Sequence, residues 1–133
     1  MIKKLNITQI HAALRTLIET NTGMKAYDVV PVDAPAPFYF IEVAGRENID
    51  TKALLRERVT VNVHGIAADT AGVYDLINSL DEAMTEEIAL PEGYELIRQI
   101  DNGLSGILID ETEERHSVCS YSFDICYGTK IKI

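Results

Sequence analysis

The chain has 133 residues, 47% of them hydrophobic and 25% charged, with a formal net charge of −9. That length suits a single domain over residues 1–133, and the balance is that of a folded chain, not a disordered one. Twelve basic residues stand against 21 acidic ones, and they are dispersed, which excludes a surface built to grip nucleic-acid phosphates. In chain order, the first element is a helix. Ile7, Ile10, Leu14, Leu17 and Ile18 recur at helical spacing, Asn6 or Thr8 can cap its start, and Gly23 stands just past its end. His11, Arg15 and Glu19 fill its outward face. Lys25–Val30 reads as a short strand ended by Pro31, which has no N–H to give a ladder. Pro31, Pro35 and Pro37 then stiffen an extended loop.

Phe38–Val43 is aromatic and β-branched, a strand expected to be buried on both faces. Gly45–Lys52 is polar and reads as a long hairpin loop. From Leu55 the chain alternates, with Leu55, Glu57, Val59, Val61 and Val63 on one face and Arg56, Arg58, Thr60, Asn62 and His64 on the other. Ala67–Thr70 leads into a second helix, its stripe formed by Val73, Leu76, Ile77, Leu80 and Met84. Pro91 and Gly93 mark its exit. Tyr94–Asp101 and Leu104–Asp110 flank Asn102-Gly103, a pair that favours a two-residue hairpin turn because both accept positive φ. After the acidic Glu111–Glu114 turn, the last strand runs from His116 to Tyr127. Cys119, Tyr121, Phe123, Ile125 and Tyr127 face its core side, opposite Ser120, Ser122 and Asp124. The order α-β-β-β-α-β-β-β predicts an α+β fold, an antiparallel or mixed sheet with two helices packed on it.

Chemistry is sparse in this text. Gly103-Leu104-Ser105-Gly106-Ile107 has the wrong spacing for a nucleophile elbow, and no phosphate-cradling glycine pattern occurs. His11, His64 and His116 lie on three elements without a second His or Cys at metal-ligand spacing. The run Asp110–Glu114 lacks the rhythm that wraps calcium. No catalytic residue, cofactor or metal is expected. Two residues merit a look: His64, beside Asn62 and Thr60 on a polar strand face, and Glu42 in a hydrophobic strand, where burial would raise its pKa and call for a basic partner or a subunit contact, with a solvent-exposed strand-end position the equal alternative.

Cys119 and Cys126 fall at odd spacing in one strand, so they point to opposite faces beyond disulfide reach. Free thiols suit a reducing compartment, hence the cytoplasm. Asn6, Gln9, His11 and Arg15 interrupt any leader-like apolar run, and no stretch approaches the ~18 residues of a membrane span.

Three features point to contacts with other proteins. Leu54 and Leu55 form an apolar group beside Arg46, Lys52 and Arg56 that suits docking on a neighbour. The tail residues Lys130, Ile131, Lys132 and Ile133 alternate basic and apolar, a pattern that can add as a strand to another sheet edge. The proline-rich loop before Phe38 stays ordered at little entropic cost.

Tyr27-Asp28-Val29-Val30-Pro31, a short Ala/Pro spacer and Pro37-Phe38-Tyr39-Phe40-Ile41 resemble a stretch of the tail terminator and tail completion (head–tail joining) proteins of long-tailed bacteriophages. Val59-Thr60-Val61-Asn62-Val63-His64 and Gly72-Val73-Tyr74-Asp75-Leu76 continue the resemblance at similar spacing. Gly65-Ile66 departs from it, where the family often has an aromatic. The resemblance implies a virion structural protein, assembled in the host cytoplasm as a six-membered homo-oligomeric ring. Its partners would be the tail-tube protein and a head–tail connector protein, with DNA passing through the ring but not specifically bound. It carries over no catalytic residue. A small ligand-binding domain or enzyme whose polar groups converge only in three dimensions is the alternative, and a tail-tube or neck subunit of similar fold a third.

Overall fold

The computed structural model describes residues 4–109 and 113–129. The elements run α1 (Ile7–Thr22), β1 (Ala26–Tyr27), β2 (Phe38–Asn48), β3 (Leu54–Ala67), α2 (Thr70–Ala83), β4 (Glu95–Ile109) and β5 (Arg115–Thr129). They form one mixed sheet in the order β1-β2-β3-β5-β4. β1 is parallel to β2, and every other neighbouring pair is antiparallel.

Local chemistry sets the helix ends. Asn6 accepts the N–H of Gln9 at 2.9 Å while the Gln9 side chain accepts the N–H of Asn6 at 3.2 Å, a reciprocal cap at the start of α1. Gly23, at φ 72°, closes it in the left-handed conformation glycine favours. Asp69 caps α2 by accepting the N–H of Gly72.

The alternation read along β3 is realised. Val59, Val61 and Val63 meet Cys119, Tyr121, Phe123 and Ile125 of β5 on one face, and Ile10, Leu14, Ile18, Val73, Leu76 and Leu80 cover them from the helices. Tyr39 ties the layers together: its hydroxyl donates to the Leu76 carbonyl at 2.6 Å inside the core. Gly65 lets β5 and α2 approach β3, since a Cβ there would sit 2.7 Å from Ser117 Oγ and 3.4 Å from Leu76 Cδ1.

The fold departs from the sequence expectation in four places. Asn102-Gly103 makes no hairpin: β4 is one strand, paired with β5 from Glu95 to Ile109, and its register slips at Leu96/Arg98, Asp101/Gly103 and Leu104/Gly106. Gly103 uses its positive φ of 92° for a bulge, and Asn102 turns its amide onto Ser122 Oγ at 2.8 Å. The sheet therefore has five strands, and the order ends α-β-β. Next, β2 continues to Asn48 past a bulge between Val43 and Gly45, so the connection to β3 is shorter than the polar stretch suggested. Third, β2 is not buried on both faces; Phe38, Tyr39 and Ile41 are buried while Glu42 is exposed. Finally, the strand expected over Lys25–Val30 shrinks to Ala26–Tyr27. Among the described residues, no helix is long and apolar enough to cross a membrane.

Candidate interaction surface

The helices cover one face of the sheet and leave the other to polar side chains. Asp124 on β5 lies on that open face yet is 1% exposed. Arg58 across the ladder covers it with a two-pronged contact, Nε to Oδ1 at 2.7 Å and Nη2 to Oδ2 at 3.0 Å. This guanidinium holds the Asp124 carboxyl below its ordinary pKa range. Thr60 and Ser122 share a hydroxyl contact at 3.1 Å beside it.

Farther along the same face, His64 sits between Glu42 and His116. Its Nε2 is 3.0 Å from Glu42 Oε1 and its Nδ1 is 2.7 Å from His116 Nε2. Asn62 also donates to Glu42, and the Phe40 ring packs 5.3 Å from the His64 ring. Of the two settings expected for Glu42, the structure shows the solvent-exposed one, and burial does not raise its pKa. Its side chain is 48% exposed, and the hydrogen bonds from His64 and then Asn62 lower its pKa. Both His64 nitrogens face protein partners. Among the described residues, no three His, Cys, Asp or Glu side chains are grouped to hold a metal.

A second carboxylate is buried, on the helix-covered face. Glu57 falls on the core face of β3 at 3% exposure. Arg46 reaches it from β2 with Nη2 2.6 Å from Oε1 and Nε 3.0 Å from Oε2, and Tyr127 donates to Oε1 at 2.6 Å. Burial alone would raise the Glu57 pKa; the bonds from Arg46 and Tyr127 and the charges of Arg46 and Lys4 outweigh it and bring it below the ordinary value. The signal was legible: a lone acid in phase with Leu55, Val59, Val61 and Val63 must find a partner.

The docking residues expected from sequence divide accordingly. Arg46 turns inward to Glu57 and also donates to the Leu5 carbonyl. Lys52 is exposed, while Leu54, Leu55 and Arg56 are half-buried, with Leu55 packed against the core. Lys130, Ile131, Lys132 and Ile133 lie outside the described residues, as do Asp110–Thr112 of the acidic run. On the helix side, Ala12, Ala13, Thr16, Leu17, Leu90 and Pro91 line a groove of about 570 Å³; neither His64 nor Glu42 lines it.

Exposed apolar side chains lie in the connection before β2, at Val29 and Val32, and along β4, an edge strand of the sheet. Leu104, Ile107, Leu108 and Ile109 are 47%, 36%, 62% and 65% exposed. An edge strand of this kind is a template on which another strand can pair. In sequence, the model of the family described as "Putative tail termination protein" matches residues 1–133. The chain belongs to this phage tail terminator family. In structure, it is similar to a chain of the virion of a native gene transfer agent particle. The TM-score is 0.65 at 14% identity, over 90% of this chain and 92% of that one, a likeness of fold. No curated protein is significantly similar in sequence. The family is one of phage structural proteins, and the resemblance carried by Tyr27–Pro31 and Pro37–Ile41 belongs to it.

Proposed function

We propose that this tail terminator caps the end of a tail tube as a six-membered ring and forms the joint to the head. The observation that carries the reading is the family match along the entire chain. The physical features agree with it: an open apolar edge and a polar face suit protein contacts. Six copies at −9 each would give a strongly acidic ring, and acidic side chains facing its lumen would let DNA slide through without adhering. The partners in this reading are the tail-tube protein on one side and a head–tail connector protein on the other, with assembly in the host cytoplasm. Lys52, Leu54 and Arg56 at the β2–β3 connection, with the tail Lys130–Ile133, are proposed to contribute contacts, and Arg46 and Leu55 to hold that connection from inside.

Deleting the gene for this chain from its parent phage or prophage tests the role. The expected particles are filled heads lacking attached tails, accompanied by overlong tubes. Normal tails joined to heads would reject it.

A further inference from the structure

The two edges of the sheet are unequal and complementary. On one side, among the described residues, β4 has no strand beyond it, and from Gln99 to Ile109 it carries no Lys, Arg or Pro. Those are the residues that ordinarily keep an edge from pairing. Its bulges end at Gly106, and Gly106–Ile109 pairs in regular register with Val118–Arg115 of β5, so the backbone groups on its far side lie in an even row. On the other side, β1 reaches only Tyr39 and Phe40 of β2. Among the described residues, Ile41–Asn48 therefore has no strand on its outward edge. The two free segments, Gly103–Ile109 and Ile41–Asn48, are of similar length, and each carries one register slip, at Leu104/Gly106 and at Val43/Gly45.

Strand polarity fits as well. β2, β3, β5 and β4 alternate in direction across the sheet, so β4 runs opposite to β2. Copies related by rotation about an axis along the strands would bring β2 of one against β4 of the next antiparallel, the more stable pairing. A contact between two different patches repeats from copy to copy and closes into a ring when the rotation allows.

We propose that Gly103–Ile109 of β4 joins Ile41–Asn48 of β2 in a second copy of this chain, so that the sheet continues from one subunit to the next. This rests on the ring reading above. Pairing would supply the missing backbone bonds and cover the outer flanks of Ile107 and Ile109 on one face of the sheet and of Leu108 on the other. The polar β2 segment, with Glu42 and Glu47 on it, resists pairing with itself through like charges placed opposite one another. That favours the head-to-tail arrangement.

The experiment is site-directed cross-linking of the full chain with a bismaleimide spanning ~10 Å, about two strand spacings. Cys119 and Cys126 are 3% and 7% exposed, so introduced thiols react in their place. A variant with Glu47→Cys and Ser105→Cys should form a ladder of covalent oligomers, and a mixture of the two single variants should form dimers only. Dimers from Ser105→Cys alone would mean that β4 pairs with itself, and no adduct from the double variant would mean that the edges do not meet; either overturns the proposal. As a second reading, Ile107→Lys with Leu108→Lys should leave circular dichroism and melting unchanged while weakening self-association at least tenfold. Unchanged association would contradict it. The gene-deletion phenotype is read separately, so a capping role that holds while cross-linking fails rejects only the edge pairing.

Discussion

Arg46 and Glu57 bind each other with two prongs on the helix-covered side of the β2–β3 ladder, at 2.6 and 3.0 Å, with Tyr127 on the same carboxylate. One guanidinium thereby fastens β2, β3, the bulged end of β5 and, through the Leu5 carbonyl, the lead-in to α1. Glu57→Gln is expected to cost about 2–4 kcal/mol, because it strands a mostly buried cation and weakens three bonds together. Replacing both partners, Arg46→Met with Glu57→Leu, should recover most of that loss. Urea unfolding of the two variants checks it; equal destabilisation by both would mean that the pair contributes shape and not charge.

Acid should find the same carboxylates. Glu57 and Asp124 both have folded pKa values below their ordinary ones. Each contributes stability that is present above its unfolded pKa and is lost as pH falls through the folded value. The urea midpoint should stay level from neutral pH to about 5 and drop below about 4. The drop should be shallower in Asp124→Asn. A midpoint insensitive to acid would contradict the pairing.

Cys119 should behave as a packing residue. Burial first, then the charges of Asp81 and Asp101, push its thiol up to about 11. Native protein at pH 8 should take up almost no aromatic disulfide reagent, and two equivalents should react after denaturation, one from each of Cys119 and Cys126. Rapid labelling without denaturant would show that the β5 face opens.

Gly103 carries the bulge of β4 at φ 92°, and a Cβ there would meet nothing within 4 Å. Gly103→Ala should therefore cost only the backbone strain, about 1–2 kcal/mol in thermal or urea unfolding. A neutral substitution would mean that the bulge relaxes at no cost.

These residues also mark how far the sequence could be read. The helices are legible because each has a periodic stripe bounded by caps, and β3 because it alternates, packing a core on one face and meeting water on the other. β4 was misread because a positive-φ glycine serves a bulge and a turn equally well; only the continuous partner strand β5 distinguishes them. Arg46–Asn48 read as loop because polar residues leave a strand no hydrophobic signature, while their partner Glu57 sits in the next strand. The Glu42–His64–His116 group required the register of three strands. The free edge of β4 was invisible for a related reason: strand order, unlike strand content, is a long-range property.

The most direct measurement is the length of tail tubes polymerised from purified tube protein with and without this chain, by electron microscopy of negatively stained samples. A terminator should shorten the tubes in proportion to the amount added, with the chain found only at their ends. Tubes of unchanged length, or the chain incorporated along their walls, would contradict the account.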